Sequence, residues 1–174
     1  MQHSFKSWQF LGFAFTSLMG TILHFLYDWL DMSTWIAPFS AVNESTWEHM
    51  KILFWPMLLF AFFEWFFFKE RTDFWCIKLR GILLGLILIP TIFYTLKGVI
   101  GDYPDWINIT IFFIAAALSY RYEAKLFYLM KIECKSPKLS LSFLVIISLL
   151  FIIFTFEAPE IAIFKDPLTG TYGI

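Results

Sequence analysis

The chain has 174 residues, of which 59% are hydrophobic and 22% aromatic but only 16% charged, against roughly 25% charged in soluble domains. A water-soluble globule of this composition would expose apolar patches that monomeric soluble proteins rarely carry, so its main solvent is lipid. Thirteen Lys and Arg against 14 Asp and Glu give a formal net charge of −1, which removes the electrostatic case for nucleic-acid binding.

The first apolar run, residues 8–30, is longer than the apolar stretch of a cleavable leader and has no small-x-small cleavage site, so it is expected to remain in the membrane. Crossing a hydrocarbon core of about 30 Å takes about 20 helical residues. Four further runs meet that length: 47–68, 74–97, 106–130 and 139–157. Pro56 and Pro90 fall inside the second and third, where each removes a backbone donor and predicts a kink. Residues 121–131 are amphipathic and extend the fourth helix toward the interface, with Arg121, Lys125 and Lys131 able to snorkel. The sequence thus predicts an all-α integral membrane bundle of about five transmembrane helices, a single unit over residues 1–174.

Orientation follows from Lys and Arg. An N-terminus inside places Lys6, Lys69, Arg71, Lys78, Arg80, Arg121, Lys125, Lys131, Lys135 and Lys138 inside, and only Lys51, Lys97 and Lys165 outside. The C-terminus is then outside, with residues 158–174 an extracytoplasmic tail. Cys76 and Cys134 are too few and too isolated for a disulfide framework or a thiolate metal site, and they read as reduced thiols without a role.

Chemistry concentrates at the predicted outer end. His24 and Asp28 stand four apart on one face of the first helix, with His24 about 9 Å below its end. Ionisable groups at membrane depth are costly and mark functional sites, although a histidine there also serves as interhelical glue. The run from Phe39 to His49 is dense in polar groups. Within it Ser45 and Glu48 form a capping-box pattern, while His49 in the first turn of the second helix has no capping role. His24, Asp28, Glu44, Glu48 and His49 together supply two imidazoles and three carboxylates from consecutive helices, an inventory that suits a divalent metal such as zinc. The expected ligands are His24, Asp28, His49 and Glu44, and the expected acid, base or ligand groups in catalysis are His24, Asp28, His49 and Glu48. Without metal the same residues would shuttle protons or bind a polar solute. Asp166 to Gly173 is turn chemistry, able either to cap the bundle or to fold over the outer cluster. Asp105 is a candidate N-cap of the fourth helix, and Glu64, about 24 Å along its helix from Glu48, is expected to snorkel or to pair with a nearby base.

The run Val42-Asn43-Glu44-Ser45-Thr46-Trp47-Glu48-His49 and the ending Asp166-Pro167-Leu168-Thr169-Gly170-Thr171-Tyr172-Gly173 resemble the marks of an uncharacterised family of small bacterial multi-pass membrane proteins. The resemblance covers nearly the whole chain and implies a place in the bacterial cytoplasmic membrane, with no activity attached. The signatures of alkaline ceramidases, lipoprotein signal peptidase and quinone-linked oxidoreductases are absent. The leading expectation is a membrane-embedded hydrolase or transferase acting on a lipid-like substrate near the outer leaflet. The alternatives are a transporter or binding protein for a cation or small solute, and a partner subunit without chemistry of its own.

Overall fold

A computed structural model of the chain describes residues 2–101, 103–104, 106–128 and 133–174, with side chains from Ser7 onward. The expected Asp105 cap, the far end of the extension to Lys131 and the Lys6 side chain lie outside the described residues. Five long helices run α1 (Gln2–Trp29), α2 (Thr46–Phe68), α3 (Phe74–Ile100), α4 (Trp106–Tyr128) and α5 (Pro137–Phe156), with one 3-10 turn at Ala162–Phe164. No strand occurs among the described residues. The helices α2 and α3 run unbroken through Pro56 and Pro90.

Consecutive helices reverse direction. The first four close a ring in which α1 touches α2 and α4, and α3 touches α2 and α4, while α5 lies outside against α3 and α2. Four helices, α1 from Ser7, α2, α3 and α5, are long and apolar enough to cross a membrane. The fourth predicted segment, α4, falls below that measure. Three of its polar residues turn inward, Ser119, Tyr120 and Glu123, all buried, while Thr110, Arg121 and Lys125 are exposed. The outermost helix, α5, is instead the most apolar of the candidate spans and little buried.

Small residues and polar contacts bring the helices into close approach where α3 meets α4. Gly81 and Gly85 stand one turn apart on α3. A Cβ at Gly81 would run into the Glu123 carboxylate, and one at Gly85 would lie 2.7 Å from Ser119 Oγ of α4. Around them pack Leu53, Phe54, Met57, Phe74, Ile77, Ala115 and Phe127, all buried.

One expectation is overturned. Cys76 and Cys134 are joined by a disulfide, with Cα atoms 5.9 Å apart. They are 58 positions apart in sequence, and the pairing arises because α5 packs on α3 and brings the segment before Pro137 beside the start of α3.

Candidate metal centre

Two helix ends and a loop build the site. The first helix stops at Trp29, and the chain reverses through Asp31 and Met32, both in the left-handed region with φ of 51° and 56°. The Met32 amide donates back to the Tyr27 carbonyl at 2.9 Å, closing the helix end. The loop then returns to α1. Tyr27 N–H donates to Ser40 Oγ at 2.9 Å, and the Ser40 hydroxyl donates to the Leu23 carbonyl, so a side chain is inserted between two groups one helical turn apart that flank His24. The Ala41 amide donates to the same carbonyl at 3.1 Å. Val42 to Ser45 then lead into α2.

Ser45 caps α2, its Oγ accepting from the Glu48 amide at 3.4 Å. The reciprocal half of the expected capping box does not form. Asn43 Oδ1 takes the Ser45 amide at 2.9 Å, and the Glu48 carboxylate reaches the Val42 amide and the Lys51 ammonium instead.

This scaffold places Glu44 between two imidazoles. His24 Nε2 lies 3.5 Å from Glu44 Oε1, and His49 Nε2 lies 3.6 Å from Glu44 Oε2. One donor atom from each of the three residues falls within 4.8 Å of the others. These separations are long for N–H···O hydrogen bonds, which centre near 2.9–3.0 Å. They match instead the spacing of about 3.4 Å between ligand atoms of a tetrahedral ion with bonds of about 2.0–2.1 Å. His49 Nδ1 lies 2.9 Å from the Ser45 carbonyl. A proton on Nδ1 satisfies that carbonyl and leaves the Nε2 lone pair free, as in metal-ligating histidines whose far nitrogen is anchored. His24 Nδ1 is buried and lacks a partner. The donor set therefore fits a borderline divalent cation, with the two imidazole nitrogens and one carboxylate holding it.

Beside the imidazoles lies a cavity of about 60 Å³ whose walls are mostly apolar, with Gly20, Phe25, Ile109 and Phe112 among them. A Cβ at Gly20 would strike the Phe112 ring, so the glycine is what lets that ring fold in. Phe25 and Ile109 are exposed, which puts the mouth between α1 and α4 on the perimeter of the bundle.

The other expected site residues lie elsewhere. Asp28 is exposed and stands outside the His24–Glu44–His49 group. It is one turn nearer the helix end, and the loop carboxylate of Glu44 fills the position between the rings. Glu48 is buried and stands outside the His24–Glu44–His49 group. It pairs with Lys51, whose ammonium also donates to the Ala37 carbonyl at 2.8 Å and to Thr155 Oγ1 at 3.0 Å. The tail folds back onto this end: Asn43 Nδ2 donates to the Gly173 carbonyl at 3.0 Å, and the Trp47 and Phe164 rings lie 4.6 Å apart. Asp166 is buried within its own turn, accepting from the Leu168 amide and the Thr169 hydroxyl.

A second polar cluster, unforeseen as a unit, occupies the opposite end of the ring. Gln9 of α1, Glu64 of α2, Lys78 of α3 and Glu123 of α4 are all buried there. Glu64 has the basic partner expected of it, Lys78, and both carboxylates contact that ammonium. Next to them Thr16 Oγ1 lies 2.8 Å from the Tyr120 hydroxyl. The available signal was Gly81 in the pattern Gly81-x-x-x-Gly85, which marks where α4 comes close. Lys78, one turn from Gly81, then belongs on an interior face.

No curated protein and no solved structure matches the chain. A family model matches all of residues 1–174, and the chain belongs to that family of unknown function, DUF6512.

Proposed function

We propose that this chain is a five-span protein of the bacterial cytoplasmic membrane in which His24, Glu44 and His49 bind a divalent metal such as zinc near the outer leaflet. The observation that carries this reading is the set of three donor atoms within 4.8 Å of one another, with His49 oriented by the Ser45 carbonyl. Three protein ligands leave a position open for water or substrate, as in catalytic zinc sites, where the ion polarises a carbonyl or phosphoryl oxygen and activates bound water. The adjoining cavity and its mouth on the bundle perimeter favour a lipid-like substrate, and the reaction class is hydrolysis or group transfer. Asp28, one turn past His24 and exposed, belongs at the rim, where it can exchange protons with water.

The fifth span rests on α4 completing the ring between α1 and α3. Orientation rests on the basic residues. Setting aside Lys51 and Lys78, which are buried in ion pairs, nine of the remaining eleven Lys and Arg still lie at the N-terminal end of the bundle or in its connections.

Elemental analysis of the full-length protein, purified without chelators, tests the site. We expect about one zinc or similar ion per chain, lost in His24→Ala, His49→Ala and Glu44→Gln. Folded wild-type protein without stoichiometric metal after zinc addition overturns the reading. The transport alternative draws support from one observation. Gln9, Thr16 and His24, spaced seven and eight apart, bring polar groups along one face of α1 into the ring. Cation flux into vesicles that is abolished by His24→Ala would rank transport first.

A further inference from the structure

The second cluster holds two carboxylates and one ammonium. Glu64 and Glu123 are 0% exposed and Lys78 1%, with each helix of the ring contributing one member once Gln9 is included. Glu64 is served at both oxygens: Oε1 accepts from Gln9 Nε2 at 2.7 Å, and Oε2 makes the ion-pair contact with Lys78. Glu123 is served at one. Its Oε2 accepts from Lys78 Nζ at 2.5 Å, while Oε1 is buried without a hydrogen-bond partner and lies against the bare backbone of Gly81. Aromatic faces surround the ammonium. The rings of Phe60, Phe74, Tyr120 and Phe127 have centroids 5.5–6.0 Å from Nζ, a setting that stabilises a cation but does nothing for a second anion. Among the described residues the titratable groups facing the cluster are Glu64, Lys78, Glu123 and Tyr120. With both carboxylates ionised, one negative charge would be buried uncompensated, which a proton on one of them avoids.

We propose that this cluster is a proton-binding site, in which Glu64 is the counter-ion of Lys78 and Glu123 carries one exchangeable proton. Uptake is the reversible transfer of a proton from hydronium to the Glu123 carboxylate: an O–H bond of the hydronium breaks, the O–H bond of the neutral acid forms and water is released, with no change of oxidation state. The route from water is short, because Glu64, Lys78 and Glu123 sit four, four and five residues from the ends of their helices, about 6–8 Å along the axis. The arrangement is a coupled group, so the proton belongs to the set, and replacing either carboxylate leaves one anion for one cation and removes the need for it.

Infrared spectroscopy of the full-length protein in lipid vesicles at neutral pH tests this directly, because the carbonyl stretch of a protonated carboxyl is separate from that of a carboxylate and shifts in heavy water. We expect a buried protonated-carboxyl band in the wild type. Glu123→Gln should abolish it while keeping the fold, since the amide is close in shape to the acid. Glu64→Gln should abolish it too, because Lys78 then requires Glu123 ionised. His49→Ala should leave it in place, which separates this site from the metal centre. A wild-type spectrum without such a band, a band surviving Glu123→Gln, or a band present only when sodium is withheld would each overturn the proposal. The first and third readouts need no variant.

Discussion

The two polar clusters of this bundle contain similar residue types and are built in opposite ways. At one end a single carboxylate, Glu44, with 37% of its side chain exposed, stands between two imidazoles at separations too long for hydrogen bonds. At the other, two fully buried carboxylates close on one ammonium, and an amide supplies a further donor. The first set leaves lone pairs unspent and adjoins a cavity. The second closes on itself except at Glu123 Oε1, and it is lined by rings and by Gly81. Burial of charge therefore does not by itself mark a ligand site. What separates the two is whether the donor atoms are satisfied by one another.

Breaking the closed cluster should cost the most. Lys78→Met leaves the Glu64 carboxylate buried without its cation, and loss of one partner of a buried pair typically costs about 3–5 kcal/mol. Thermal unfolding in micelles should show a large fall in midpoint, and an unchanged midpoint would mean that the ion pairs contribute little. Gly81→Ala comes next. Its methyl group meets the Glu123 carboxylate, and overpacking of this kind costs about 1–3 kcal/mol, read in the same melt. Ser45→Ala should cost about 1 kcal/mol through the lost helix cap, while the backbone carbonyl that orients His49 stays in place, so metal content is expected to survive. Glu44→Gln sharpens the contrast most. A partly exposed pair is worth at most about 1 kcal/mol, so stability should hardly change, yet metal content should collapse. Equal loss of metal and of stability would erase the distinction between the two ends. A separate readout concerns the disulfide. The pair lies at the end that the basic residues place inside, and a reducing cytoplasm does not sustain such a bond, so thiol trapping in intact cells reads which side that end faces. Finding them oxidised would argue for the reverse orientation.

Apolar runs and the polar breaks between them mark out the five helices to within a few residues at most ends, although α4 falls short of the apolar measure that the other four meet. His24 was legible as an ionisable group within an apolar run, and Glu44 and His49 as members of the polar-dense run that leads into α2. Asp28 shows the limit. Spacing of four puts it on the face of His24, but which carboxylate fills the gap between the imidazoles depends on how a sixteen-residue connection folds back. Glu48 paired with Lys51 three residues on, a pairing visible in the sequence but overshadowed by the capping-box pattern. The Lys78 cluster was not legible as a unit because its members come from four helices, and each lies near a helix end where snorkelling is the ordinary expectation. The disulfide depends on α5 choosing α3 as its neighbour, which no local pattern encodes.

The Ser40 hydroxyl spliced into the first helix has a consequence for motion. If the loop lifted away, the Tyr27 amide and the Leu23 carbonyl could bond directly across the turn, and water could take the freed serine. A healed turn of this kind would leave the serine hydroxyl and the Ala41 amide, which also donates to Leu23, to water, so no polar group would be stranded. Glu44 travels with the loop while His24 stays on the helix, so the healed arrangement would separate the carboxylate from its imidazole. Amide exchange at Tyr27 would report the balance between the inserted and the healed turn: a bound cation, which bridges helix and loop, should slow it, and Ser40→Ala should leave the turn healed and the three donors apart.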